Sequence, residues 1–100
     1  MKTTSEYIDL IKAHANDLQT KFGITSLRLF GSVARGEHHE GCDVDIFVTM
    51  PPKFFNYIEA ALYLEQLLGC RVDLISDHKQ LRPFFKQQIE QDGITIFTAA

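Results

Sequence analysis

The chain has 100 residues, 45% hydrophobic and 23% charged, with three Pro, six Gly and a formal net charge of −3 at pH 7. That length makes one domain rather than two, and it allows burial of roughly 65% of the unfolded surface, enough for one core. The composition excludes a disordered or fibrous chain, the negative balance excludes a broad basic field for nucleic acid, and two cysteines, Cys42 and Cys70, are too few for a disulfide framework or a zinc site.

Met1 to Glu6 leads into an amphipathic pattern rather than an apolar signal segment, so no secretory leader is expected. No apolar run approaches the ~20 residues of a membrane-spanning helix. The expected setting is a reducing cytoplasm, with no membrane attachment. Thr3 with Glu6, or Ser5 alone, can cap a first helix. Ile8, Ile11, Ala15, Leu18 and Phe22 then recur at three- and four-residue steps, which predicts one helix from Ser5 to Phe22, stopped by Gly23.

Ser26–Phe30 reads as a short strand running into Gly31-Ser32, with one helical turn before a polar loop that holds Gly36, His38-His39-Glu40 and Gly41. Asp43–Thr49 is a second strand, mostly apolar as a central strand should be, and Pro51-Pro52 ends it. Tyr57, Ile58, Ala61, Leu64 and Leu68 mark a long helix closed by Gly69, and Arg71–Ile75 is a third strand. Pro83 begins a last helix with Phe85 and Ile89 on one face, and Asp92-Gly93 turns the chain into a final strand, Ile94–Phe97. Helices alternating with strands predict an α/β or α+β domain. The unit from Asp43 to Ile75 should form a right-handed parallel crossover. The first two strands lack a long helix between them and are free to run antiparallel, so a mixed sheet of three to four strands is expected.

The chemistry concentrates in Gly31-Ser32-Val33-Ala34-Arg35-Gly36-Glu37 and in Cys42-Asp43-Val44-Asp45-Ile46-Phe47-Val48. Residues i and i+2 of a strand share a face, about 6.6 Å apart, so Asp43 and Asp45 lie together. Carboxylates that close repel and rise in pKa unless a cation intervenes. The next face-mates are Phe47 and Thr49, so this is not a generally solvated face. A hard oxygen pair of this kind suits Mg²⁺, which keeps its remaining positions for water and phosphate. Gly31 leaves the strand without a side chain, letting backbone N–H groups approach a phosphate; the Ser32 hydroxyl can donate to it, and Arg35, one turn on, can offset its charge. A phosphate cradle facing an acid pair is the equipment of two-metal phosphoryl or nucleotidyl transfer.

Gly31-Ser32, ten residues, then Asp43-x-Asp45 resembles the signature of the DNA polymerase β-like nucleotidyltransferase superfamily, and the fuller string resembles its minimal nucleotidyltransferase (MNT) branch. The resemblance runs over most of the chain, including Val72-Asp73-Leu74 as a third carboxylate strand and Leu81-Arg82-Pro83 through Gly93-Ile94. It implies the nucleotidyltransferase fold over residues 1–100 as a single domain. By the same resemblance Gly31 and Ser32 hold nucleotide phosphates, Asp43 and Asp45 ligate two Mg²⁺ ions, and Asp73 completes the site and helps activate the attacking hydroxyl. Cys42 stands where the family usually carries Ser.

Members of this branch commonly act as antitoxins paired with a HEPN-family ribonuclease toxin, and resemble enzymes that move AMP from ATP to a tyrosine of that toxin. The resemblance therefore implies ATP as substrate and a HEPN toxin as partner in a hetero-oligomer, with no direct DNA or RNA binding. The short length agrees with a protein acceptor, since relatives that hold a primer or a drug carry additional domains. The rival readings are an antitoxin that only occludes its toxin and a small-molecule, aminoglycoside-type nucleotidyltransferase. His38-His39-Glu40 reads as a solvated loop tip rather than a metal cluster, because consecutive residues converge poorly on one ion. In each adjacent pair, Phe54-Phe55 and Phe84-Phe85, one ring is expected in the core and the other at a partner surface.

Overall fold

The computed structural model describes residues 2–38, 41, 43–77 and 81–98. Helix α1 (Thr4–Ala13) opens on the predicted capping box: the Glu6 N–H donates to the Thr3 hydroxyl at 3.2 Å, and the Thr3 N–H donates to the Glu6 carboxylate at 2.9 Å. The single helix expected from Ser5 to Phe22 is in fact two. At His14 (φ −109°, ψ 13°) the chain leaves helical geometry and restarts as α2 (Ala15–Phe22). The cause is local. The His14 ring donates through Nδ1 to the Leu10 carbonyl at 3.0 Å, taking the acceptor that its own backbone N–H would use, and that N–H turns to Ile11 instead. The buried face also differs from the expected stripe: Tyr7 is buried with Ile11, Leu18 and Phe22, while Ile8 is only partly covered.

β1 (Ser26–Phe30) leads directly into the short helix α3 (Gly31–Arg35), and β2 (Val44–Thr49) follows the loop. α4 (Phe54–Leu68) returns the chain to β3 (Val72–Ser76); α5 (Pro83–Asp92) and β4 (Ile94–Thr98) complete it. The sheet has four strands in the order β3-β2-β1-β4. β1 pairs antiparallel with β2 and β4, and β2 pairs parallel with β3, so the sheet is mixed, as expected.

Alternation along the strands divides the sheet into two faces. One presents Leu27 and Leu29, then Val44, Ile46 and Val48, then Leu74 and Ile96, all buried in one cluster with Tyr7, Ile11, Leu18, Val33, Ala60, Leu64 and Leu68 from the helices. Each fully buried aliphatic side chain of this kind contributes about 1.5–3 kcal/mol relative to exposure. The other face presents Phe30, Asp45, Phe47 and Asp73. There α5 lies over part of the sheet: the Phe85 ring meets Phe30 edge-on at 6.3 Å between centroids, and Arg28 donates to the Glu90 carbonyl at 3.0 Å.

Several surface expectations are corrected. On α4 the buried positions are Ala60, Leu64 and Leu68, and Ile58 is exposed. Phe54 and Phe55 are both exposed, whereas the second pair shows the expected split, with Phe84 exposed and Phe85 packed against Phe30. His38 is no solvated tip. Its Nε2 donates to the Lys2 carbonyl at 2.8 Å and its ring sits edge-on to Tyr7. His39, Glu40 and Cys42 lie outside the described residues.

Candidate active site

The register of the sheet assembles the site. Phe30 on β1 stands opposite Asp45 on β2, and Asp45 stands opposite Asp73 on β3, so the three form one row across three strands on the face away from the core. Asp43 precedes β2 by one residue and belongs to the same side by alternation. Asp43 and Asp73 are exposed and Asp45 is half-buried.

Gly31 is locked against this row from the β1 side. Its φ of +75° is a left-handed conformation that residues with a Cβ rarely adopt, and an added Cβ would lie 2.2 Å from the Asp45 Oδ2. The missing side chain therefore does two things. It allows the turn from β1 into α3, and it lets a carboxylate rest against backbone. Sequence reasoning assigned Gly31 to phosphate approach alone; its contact with Asp45 follows from the three-dimensional pairing.

The electrostatics of Asp45 are those of a crowded acid. Its carboxyl is held above the ordinary carboxylate range by burial first, then by the negative charges of Asp73 and Asp43 and a hydrogen bond with Asp73; Arg35 opposes the rise. Among the described residues no three acidic, histidine or cysteine side chains are closed into a finished metal cage. The acids form an open row with hard oxygen donors facing outward.

The other predicted residues are placed as follows. Ser32 is half-buried in the first turn of α3, beside Gly31. That short helix is anchored by Val33 in the core and by the Thr4 hydroxyl, which donates to the Val33 carbonyl at 2.6 Å. Arg35 stays at the surface, where its Nε donates to the Glu37 carboxylate at 3.2 Å; it is not paired directly with the acids. Tyr57, expected only as part of the apolar pattern of the long helix, donates its hydroxyl to the Leu74 carbonyl and lies close enough to Asp73 for that charge to raise its pKa, after burial. The residue number alone gave no signal of this. The structure also forms a cleft of about 130 Å³ beside Gly31 and Arg35, closed by Phe30 and by Phe85 on α5.

A mixed sheet with acids on neighbouring strands, set against a glycine bend that opens a helix, is the arrangement of nucleotidyl-transfer domains. The sequence pattern of the nucleotidyltransferase domain matches residues 11–98, and the chain belongs to that family. It is a nucleotidyltransferase, and the similarities lie in the minimal branch. A Methanocaldococcus jannaschii protein named provisionally as a protein adenylyltransferase is 41% identical over 100 residues, covering 96% of this chain and all of that one. The protein adenylyltransferase MntA of Thermococcus cleftensis is 43% identical over 77 residues, covering 75% of this chain and 78% of that one. Among solved structures, one described provisionally as a minimal nucleotidyltransferase superposes with a TM-score of 0.78 at 32% identity, covering 93% of this chain and 95% of that one. The fold is shared, at 21% identity and a TM-score of 0.64, with a complex of a tri-AMPylated Shewanella oneidensis HEPN toxin and its MNT antitoxin, covering 92% of this chain and 73% of that one. Among the described residues no helix is long and apolar enough to cross a membrane.

Proposed function

We propose that the chain transfers AMP from ATP to a tyrosine hydroxyl of a HEPN-family ribonuclease toxin, with Mg²⁺, and so acts as its antitoxin. The observation that carries this reading is the shared register of Asp45 and Asp73 on adjacent parallel strands, with the Gly31 backbone held against the Asp45 carboxylate. An oxygen-only donor set with mutually repelling charges fits a hard divalent cation, and Asp43, Asp45 and Asp73 are the residues that would hold it. Bound there, Mg²⁺ supplies charge stabilisation to the attacking and leaving oxygens of phosphoryl transfer.

The chain's own groups do the rest. Gly31 leaves its backbone open to the phosphates, the Ser32 hydroxyl donates to a phosphate oxygen, and Arg35 offsets the triphosphate charge from the end of α3. Asp73, at the exposed edge of the row, accepts the proton of the incoming hydroxyl. The new bond joins the hydroxyl oxygen to the α-phosphorus, the bond to the β-phosphate oxygen breaks, and pyrophosphate departs. A protein acceptor is favoured by the surface: Phe54, Phe55, Ile58 and Leu62 stand exposed along α4, an apolar stretch of the kind that meets partner proteins. The adenylyltransferase names of the relatives and the HEPN complex of a structural neighbour support the same reading.

The test is incubation with ATP labelled at the α-phosphate, Mg²⁺ and the product of the adjacent gene as the candidate HEPN toxin. Label should pass to the toxin, and should not do so when the acceptor tyrosine is Phe. Tight binding without label transfer would replace catalysis by occlusion, and transfer to an added aminoglycoside without the toxin would replace the protein acceptor by a small molecule.

A further inference from the structure

The cleft of about 130 Å³ between the end of β1 and α5 is not used by the metal row or the phosphate cradle, yet it shares two walls with the cradle, Gly31 and Arg35. Its opposite wall is one face of α5, since Phe85, Gln88 and Asp92 follow at three and four residues. Phe30 completes it, edge-on to Phe85 at 6.3 Å and 89°. We propose that this cleft receives the nucleobase of the substrate nucleotide, packed against the edge-to-face pair of Phe30 and Phe85, with Gln88 and Asp92 reading its edge. The inference rests on the nucleotidyl-transfer reading above and adds a base-recognition site to it.

Three features select a base rather than another part of the nucleotide. Aromatic walls suit a planar heterocycle and give nothing to a phosphate. The Asp92 carboxylate on the α5 wall repels phosphate oxygens, which leaves the triphosphate to the Gly31, Ser32 and Arg35 side. Contiguity does the rest: a ligand whose phosphates lie along Gly31 and Arg35 has its next group within reach of the aromatic pair.

The edge chemistry suits a base with donors. A carboxylate accepts only, so Asp92 can take the exocyclic amino group of adenine or the N1–H and amino group of guanine, and disfavours an edge that presents carbonyl oxygens alone. The Gln88 amide, with a donor and an acceptor, satisfies the ring nitrogen beside it. An unmatched polar edge in such a site costs about tenfold in affinity per contact, so removing either side chain should weaken nucleotide binding by about that factor.

Calorimetry on the intact chain with Mg²⁺ tests this using a non-hydrolysable ATP analogue, its GTP counterpart and inorganic tripolyphosphate. Phe85→Ala should weaken the ATP analogue by about tenfold or more, the scale of one lost base–aromatic stack, and leave tripolyphosphate unchanged. Phe85 is half-buried and its truncation could unsettle α5, so the exposed Gln88→Ala and Asp92→Asn provide a second route. Asp92→Asn and Gln88→Ala should each weaken the ATP and GTP analogues with no effect on tripolyphosphate. Unchanged ATP binding in Gln88→Ala and Asp92→Asn, or equal loss for tripolyphosphate, overturns the base site while leaving nucleotidyl transfer standing. A wild-type chain that binds the analogue but labels no toxin overturns the acceptor instead, and one that binds no nucleotide overturns both.

Discussion

Two neighbouring rows of the same sheet have opposite characters. Leu29, Ile46 and Leu74 lie in register across β1, β2 and β3 and are buried in the core. One residue away along each strand, Phe30, Asp45 and Asp73 lie in register on the other face, where crowding holds the Asp45 carboxyl above its ordinary range. The apolar row gains from being together; the acidic row is strained by it, and a cation would relieve that strain. Stability and chemistry are thus built into alternate residues of the same three strands, and substitutions on the two rows should separate them.

The largest effect expected is on chemistry. Asp45→Asn removes one of the carboxylates proposed to hold Mg²⁺ and keeps the shape, so the proposed label transfer should fall roughly a thousandfold, the several kcal/mol a metal contributes to a transition state. Circular dichroism should show the variant folded. A variant that unfolds would instead assign the acid row a structural role.

On the apolar row the loss should be of fold. Ile46→Ala opens a cavity in a fully buried position and should cost about 2–5 kcal/mol in urea unfolding. The molecules that remain folded should transfer label at the wild-type rate per folded chain. Gly31→Ala joins the two rows in one substitution. Left-handed strain at a residue with a Cβ costs about 1–3 kcal/mol, and the Asp45 carboxylate must move away from a Cβ placed 2.2 Å from it. Both stability and transfer should drop, whereas Ser32→Ala should leave stability near wild type.

The helices and strands were largely legible in the sequence, because hydrophobic periodicity, Thr3, Gly23, Gly69 and Pro83 each mark a local event. The connection after Gly31-Ser32, with no long helix in it, left β1 and β2 free to pair antiparallel, as they do. What stayed illegible depends on contacts between distant residues. The break at His14 comes from a side chain competing for the Leu10 carbonyl, in a stretch whose apolar spacing reads as continuous helix. The exposure of both Phe54 and Phe55 depends on where α4 begins relative to the core edge, and spacing cannot specify that. At the candidate site the motif identified Gly31, Ser32, Asp43 and Asp45, and resemblance added Asp73. The register that lines Asp73 up with Asp45, the fit of Gly31 against that carboxylate and the cleft beneath Phe85 required the assembled sheet.

The smallest expected effect is the pH dependence of the metal-free chain. The groups that bear on Asp45 are Asp73 and Asp43, which raise its pKa after burial does, and Arg35, which lowers it. A carboxyl whose folded pKa lies above its unfolded value binds its proton more tightly when folded. Its contribution to stability is therefore fully present below the ordinary carboxylate range and is lost as pH rises through the raised value. Without metal, Asp45→Asn should remove that slope and melt a few degrees higher than wild type at neutral pH, about the shift of 1 kcal/mol or less in a domain this size. Mg²⁺ or Mn²⁺ requires the ionised form, so the metal-induced rise in melting temperature should grow with pH across the same window in wild type and be largely lost in Asp45→Asn. Thermal melts across that window, with and without metal, measure both slopes. If the variant melts lower than wild type in metal-free buffer, the acidic row is not held under mutual repulsion, and the contrast between the two rows fails at its electrostatic half.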